Sequence, residues 1–323
     1  MSFIEVKDLK VHYPIRGGFF NKIIDYVYAV DGVSFTIEKG KTYGLVGESG
    51  SGKSTIGKAI IGLEKIKSGK IIYEGKEIDE KFRNRRSEYN RNVQMIFQDS
   101  LSSLNPKKRV IDIISEPLRN FENLSVEEEK RKVSELLEIV GMNRDDIYKY
   151  PHEFSGGQRQ RLGIARAVAT KPKLIIADEP VSALDLSVQA QVLNYMKDIQ
   201  EQFGLSYLFI SHDLGVVKHM CDYMFIMYHG RFVETGEKND IYKNPEHFYT
   251  KRLIAAIPEI HPEKRAENKR RRLKIEKEYL ANEKKYYDEN GRVFDLKKLT
   301  DTHFVAFKDK NLVNNENSEK GGK

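Results

Sequence analysis

Along residues 3–39 apolar and polar positions alternate in short stretches, as in Phe3-Ile4-Glu5-Val6 and Val33-Ser34-Phe35-Thr36-Ile37-Glu38, punctuated by Gly17-Gly18 and Gly40. A period of two predicts small antiparallel strands, each with one face buried. The texture changes at Thr42–Val46, an apolar strand that enters a glycine-rich turn and then a helix beginning near Lys53. Further strands are predicted at residues 93–97, Leu174–Asp178, Ser206–Ser211 and Tyr223–Tyr228, with helix-like stretches between several of them. Strands alternating with helices predict an α/β protein whose parallel sheet is covered on both faces.

Residues 99 to about 169 read differently, with helical patterns at 126–140 and 158–168 and little strand character. They are expected to form a helical subdomain inserted into the α/β core. After Pro262 charge becomes dense, with the run Lys269-Arg270-Arg271-Arg272, and the last dozen residues are almost wholly polar. This tail is expected to be partly helical and frayed at its end. No internal repeat is visible.

The 323 residues are 39% hydrophobic and 32% charged, enough to bury one or two ordinary cores. No charged leader with an apolar core and no bilayer-length apolar run is present, so export and membrane insertion are disfavoured. The one cysteine, Cys221, reads as a buried thiol and fits a reducing compartment. A net charge of +7 would suggest nucleic acid or an anionic surface, but residues 261–323 hold 17 Lys and Arg against 12 Asp and Glu. Five of the seven charges therefore belong to the tail.

Residues 47–55 read Gly47-Glu48-Ser49-Gly50-Ser51-Gly52-Lys53-Ser54-Thr55 and satisfy G-x-x-x-x-G-K-[ST]. Glycines let successive N–H groups curl around phosphate oxygens, the helix that follows aims its positive end at the anion, and Lys53 adds a point charge. Ser54 can ligate Mg²⁺. A short glycine pattern alone is equally a turn; the strand before it and the helix after it favour the phosphate reading. Leu174-Ile175-Ile176-Ala177-Asp178-Glu179 ends an apolar strand in two acids, which is costly unless a cation or a proton transfer uses them. Asp178 is the candidate to hold Mg²⁺ through water, and Glu179 the candidate to orient and deprotonate a water.

Between these motifs lies Phe154-Ser155-Gly156-Gly157-Gln158, followed by Arg159-Gln160-Arg161. It resembles the signature sequence of ATP-binding-cassette (ABC) ATPases, with Phe154 where that family more often has leucine. The resemblance implies an ABC-type nucleotide-binding domain over residues 1–260, with a P-loop NTPase core, an N-terminal antiparallel β subdomain and the helical insertion, followed by an extension at 261–323. It also implies ATP and Mg²⁺ as ligands. Tyr13 is similar to the residue that stacks on adenine, with Tyr26 and Tyr28 nearby. Gln98 resembles the glutamine that senses Mg²⁺ and the γ-phosphate, Ser182-Ala183-Leu184-Asp185 the loop that meets an opposing subunit, and His212 the histidine at the γ-phosphate. Two such cassettes sandwich two ATP molecules, so Ser155 and Gly157, with Gly156 and Gln158 beside them, would serve the partner's nucleotide.

A finer resemblance, to the ATPases of oligopeptide and dipeptide importers, rests on Phe97-Gln98-Asp99-Ser100-Leu101-Ser102-Ser103-Leu104-Asn105-Pro106, Tyr150-Pro151-His152-Glu153-Phe154, residues 177–191, His247-Phe248-Tyr249-Thr250 and Ala255-Ala256-Ile257-Pro258. Residues 11–35 and 110–118 look more like the F-type than the D-type ATPase of the oligopeptide permease. The implied complex holds a sibling ATPase, two permease subunits and an extracellular peptide-binding protein, with this chain on the cytoplasmic face of the membrane and no nucleic acid partner. Many relatives carry a cysteine cluster near the C-terminus; this chain has no cysteine after Cys221, so no iron–sulfur or zinc site is carried over. The tail is expected to be a packing extension, with anionic lipid or the sibling as alternative contacts. The competing readings are a dipeptide or nickel importer, a soluble ABC ATPase on DNA or ribosomes, and a module without turnover.

Overall fold

The structure, a computed structural model, describes residues 2–18, 20–79, 88–99, 103–257, 265–282 and 285–307. Ser100-Leu101-Ser102, Pro258 and the final polar residues of the tail lie outside this set.

The N-terminal alternation forms two long strands instead of several short ones. β1 (Ser2–Gly17) pairs antiparallel with β2 (Lys22–Glu38), and slips in register at several points keep the pairing continuous where the apolar period breaks. Only the base of this hairpin is buried; its outer part leaves Ile15, Phe20, Ile23 and Ile24 in solvent. The chain then passes through β3 (Thr42–Val46), α1 (Lys53–Ile60), β4 (Ser68–Tyr73), β5 (Lys76–Glu77), α2 (Glu88–Asn92) and β6 (Val93–Ile96). Strands β2, β1, β4 and β5 make one antiparallel sheet in that order.

The helical segment supplies α3 (Val110–Phe121), α4 (Val126–Ile139) and α5 (Gly156–Val168). The core resumes with β7 (Leu174–Asp178), α6 (Leu186–Phe203), β8 (Ser206–Ser211), α7 (Leu214–Met220), β9 (Tyr223–Tyr228) and β10 (Arg231–Glu237). Helices α8 (Lys238–Lys243), α9 (Phe248–Ala255) and α10 (Arg265–Asn282) precede β11 (Leu296–Lys298) and β12 (Phe304–Ala306). The second sheet has the order β11-β12-β10-β9-β3-β8-β7-β6, parallel from β9 to β6 and antiparallel at the other edge.

Each parallel strand serves two cores. In β7, Leu174 and Ile176 face the core shared with α1 and the N-terminal sheet, while Ile175 and Ala177 face the core shared with the inserted helices. In β8, Leu208 and Ile210 divide from Tyr207 and Phe209 in the same way. Successive side chains on a strand point to opposite faces, so a strand covered on both sides must be apolar throughout. That explains why these segments read as continuous apolar runs.

The tail is more than a charged appendage. Helix α10 packs on α9, and the β11–β12 hairpin extends the central sheet beside β10. Arg292 reaches Asp31 of β2 at 2.6 Å, and Arg231 pairs with Asp295. Fully buried Glu234 of β10 is satisfied by the N–H groups of Glu246 (2.9 Å) and His247 (3.0 Å), and His303 Nε2 lies 2.7 Å from its carboxylate. Burial pulls the His303 pKa down, but its hydrogen bond to Glu234 and the charges of Glu234, Asp240 and Glu246 outweigh that and hold it above the ordinary value. A histidine so held stabilises the fold fully below its unfolded pKa of about 6.5 and loses that contribution as pH rises through the folded value. With the intrinsic base-catalysed rate divided out, amide protection at residues 296–306 is therefore predicted to fall across that window. His303→Gln should remove the pH dependence, and a variant with the wild-type profile would contradict this assignment.

Candidate phosphate and hydrolysis site

The phosphate loop joins β3 to α1 at the carboxyl end of the parallel sheet, where ligands of such sheets bind. Its glycines are needed because the loop presses against other backbone. A Cβ at Gly47 would stand 2.2 Å from the Met227 carbonyl oxygen, and one at Gly52 only 2.0 Å from that of Ala29. Gly52 also holds φ at 105°, a conformation that side chains disfavour, and caps α1 without a side-chain acceptor, leaving the first amides of the helix directed outward. Glu48, Ser49 and Gly50 are exposed at the mouth, Ser51 is buried, and Ser54 and Thr55 are half-buried. Lys53 is 5% exposed, and its ammonium donates to the carbonyls of Gly47 and Glu48 at 2.8 Å and to Ser51 Oγ at 3.4 Å. Burial lowers its pKa, against the opposing charges of Glu179, Asp178 and Glu48.

Asp178, 3% exposed, ends β7 and accepts a hydrogen bond from Ser54 Oγ at 2.8 Å. Its carboxyl is held above the usual range first by burial; the Ser54 hydrogen bond opposes this and the neighbouring Glu179 charge adds to it. Glu179 has φ of 46°, a left-handed conformation uncommon for a non-glycine residue, and its N–H donates to Ile210 O at 2.9 Å. This turn aims its carboxylate across the ends of the neighbouring strands. Gln98 Nε2 donates to Glu179 Oε2 at 3.0 Å, and His212 Nδ1 lies 3.0 Å from Oε1. Gln98 follows β6, Glu179 follows β7 and His212 follows β8, so the strand order alone brings three distant residues together.

A cleft of about 510 Å³ beside this cluster is lined by Ser54, Lys58, Gln98, Asp178 and Arg166, among others. A larger cavity of about 970 Å³ opens among Lys41, Tyr43, Asp222 and Phe304, at the amino end of β3. Size is therefore a poor guide to the chemistry here.

Tyr13 pairs with Val27 across the β1–β2 hairpin, while Tyr28 pairs with His12, so Tyr13 faces the opposite side from Tyr28. Its phenol, 37% exposed, is raised by burial and by Glu64, while a hydrogen bond with Thr55 lowers it. The structure thus brings Tyr13 to the last residue of the phosphate motif. Ser155 caps α5 in a reciprocal arrangement with Gln158: Gln158 N donates to Ser155 Oγ at 3.3 Å and Ser155 N to Gln158 Oε1 at 2.8 Å. A Cβ on Gly157 would meet Val188 at 2.5 Å, whereas one on Gly156 would meet only Leu184, at 4.0 Å. Among the described residues no hydrogen bond or ion pair joins Ser155–Gln158 to the phosphate loop of the same chain. Ser182 Oγ donates to Glu179 O at 3.1 Å, and Asp185 precedes α6.

Three side chains at the site escaped the sequence reading. Arg166 of α5 donates to Ser103 O at 2.6 Å, five residues after Gln98. Tyr249 accepts a hydrogen bond from the Glu48 N–H at 3.0 Å, and Arg252 lies 3.5 Å from the Glu48 carboxylate. His247-Phe248-Tyr249-Thr250 was visible as a motif, but nothing in its spacing places it against the phosphate loop.

The family model described as ABC transporter matches residues 30–182, and the one described as oligopeptide/dipeptide transporter, C-terminal region, matches residues 233–289. Among solved structures, a dimeric post-hydrolysis ATP-binding cassette bound to ADP and Pi aligns with a TM-score of 0.63 at 24% identity, covering 73% of this chain and 98% of that one. The cbiO1 protein of Clostridium perfringens, part of an ABC transporter complex, aligns with a TM-score of 0.63 at 25% identity, covering 78% and 95%. Fold and site together define an ATP-binding cassette. The chain is 57% identical over 305 residues to the oligopeptide transport ATP-binding protein OppF of Lactococcus lactis subsp. lactis (strain IL1403), covering 94% of this chain and 96% of that protein. It is 46% identical over 264 residues to the dipeptide transport ATP-binding protein DppF of Escherichia coli (strain K12), covering 82% and 79%. The chain belongs to the family of ABC-type oligopeptide and dipeptide transport ATP-binding subunits.

Replacing Lys53 with Ala removes charge-assisted hydrogen bonds worth about 1.5–3 kcal/mol, so ATP affinity is predicted to fall roughly 10- to 100-fold. Titration of nucleotide into the folded variant measures this directly; wild-type affinity would contradict the phosphate role of the loop.

Proposed function

We propose that this chain binds and hydrolyses ATP to energise oligopeptide uptake through a membrane permease. The observation that carries the reading is the meeting of Gln98, Glu179 and His212 beside the Ser54–Asp178 pair at the mouth of the phosphate loop. In this reading the loop amides and Lys53 hold the β and γ phosphates, and Tyr13 stacks on adenine. Glu179 orients a water in line with the γ-phosphorus and takes its proton as the new P–O bond forms and ADP leaves. Gln98 and His212 fix the two oxygens of that carboxylate, so the base is aligned before the reaction.

Mg²⁺ fits the residues present. The oxygens of Ser54, Asp178 and the Gln98 amide are hard donors, and Mg²⁺ takes few protein oxygens while keeping several waters. Asp178, buried and held above the usual carboxylate range, is a group that a cation would stabilise in its charged form. When bound, the ion would neutralise charge on the transferring phosphate.

The separation of Ser155, Gly156, Gly157 and Gln158 from the phosphate loop of their own chain supports a composite site. In it these residues close over the nucleotide of an opposing ATPase, with a sibling subunit as the natural partner. Gly156 has free space where a Cβ would point, which suits close approach of another molecule. ATP then favours the closed pair and hydrolysis releases it, a population shift passed on through the Gln98 loop and the helical subdomain to two permease subunits. No described helix is long and apolar enough to cross a membrane, so attachment to the cytoplasmic face would come from those subunits, with an extracellular binding protein delivering peptide.

General-base catalysis contributes about 10²- to 10⁴-fold. Glu179→Gln in the assembled complex is therefore predicted to lower phosphate release by about that factor while ATP still binds. Undiminished turnover would overturn the assignment of Glu179.

A further inference from the structure

The outer side of the phosphate loop is held by residues that come after the catalytic strands. Gly230, in the turn between β9 and β10, donates its N–H to Ser51 O at 3.0 Å. Tyr249, fully buried at the start of α9, accepts the Glu48 N–H at 3.0 Å. Its ring packs on Tyr228 at the end of β9 (4.6 Å between centroids), which in turn meets Tyr287 of the tail at 5.4 Å. One turn along α9, Arg252 bridges two elements: its guanidinium lies 3.5 Å from Glu48 of the loop and 3.0 Å from Glu276 of α10, and over the Tyr279 ring at 5.1 Å.

We propose that Tyr249 and Arg252 are positioning residues for nucleotide binding, through which the two C-terminal helices set the shape and charge of the phosphate loop. This rests on the loop's reading as an ATP cradle. Glu48 places a carboxylate, half in solvent, at the rim of a site that must accept a polyanion. Left unpaired, that charge opposes phosphate; Arg252 offsets it, and Glu276 and Tyr279 restrict the guanidinium to that place. Tyr249 acts on the backbone. The Glu48 amide is anchored by its hydroxyl, which fixes where the loop begins to curl. Lys53 fastens the carbonyls of Gly47 and Glu48. The start of the loop is thus held by two groups, one of which belongs to the C-terminal region.

The test uses the full-length chain for binding and the assembled transporter for turnover. Arg252→Ala is predicted to weaken ATP binding about two- to fivefold, the range of a partly exposed ion pair, with a larger effect at low ionic strength. Adding Glu48→Gln to that variant should restore affinity, since the charge that Arg252 offsets is then gone. Tyr249→Phe keeps the ring and removes one hydrogen bond, and is predicted to raise the KM for ATP about two- to tenfold with the change falling on KM more than on kcat. Failure of Glu48→Gln to restore binding would reduce Arg252 to packing, and unaltered ATP affinity in both folded single variants would overturn the proposal. Lys53→Ala serves as the control. If it weakens binding as predicted while the α9 variants bind as wild type, the proposal alone fails; if the wild-type chain binds no ATP, the cradle reading fails with it.

Discussion

The structure depends on burying Lys53 and Asp178 where the phosphate loop meets the end of β7. Isolated buried charges are too costly to keep, so each must be met by oriented partners. Lys53 is met by the carbonyls of Gly47 and Glu48, which the loop can present only because its glycines lie against the backbone of β2 and β9. Asp178 is met by Ser54, which fixes the distance between the first turn of α1 and the end of β7. These two demands set the register of loop, helix and strand, and the remaining site residues take their places from the strand order.

On the proposed reading, the arrangement separates what one chain does from what needs two. Phosphate loop, acidic strand end, Gln98 and His212 form a contiguous group, whereas the Ser155 cap packs on the segment around Leu184 and Val188. The reciprocal cap between Ser155 and Gln158 prepares a helix start whose other ligands would come from outside the chain. The C-terminal helices touch the phosphate loop at Glu48, through Tyr249 and Arg252.

Legibility in the sequence followed contact range. Gly47 to Thr55 could be read because all its chemistry is local: directly after a strand, a curl of amides and a helix start lie within nine consecutive residues. The parallel strands were legible because burial on both faces leaves only apolar residues. The tail was less so. β11 and β12 have three residues each, too few for a period to register, and they are strands only because the edge of β10 accepts them. The contact of Tyr249 with Glu48 spans 201 residues and has no local signature. Likewise Arg292 finds Asp31 only once the sheet has closed. The β1–β2 hairpin was seen as alternation but underestimated in length, because its outer half exposes apolar side chains that no period assigns to a core.

The central claim, that this cluster of side chains drives peptide across a membrane, is tested most directly by purifying the complex containing this chain from native membranes, rebuilding it in vesicles, and measuring accumulation of a labelled oligopeptide together with phosphate release. The account predicts that a second ATPase and two polytopic permeases co-purify, and that peptide accumulates only when ATP reaches the side bearing this chain and binding protein the other. Recovery of the chain with ribosomes or DNA-repair proteins, or phosphate release without peptide accumulation, would contradict it.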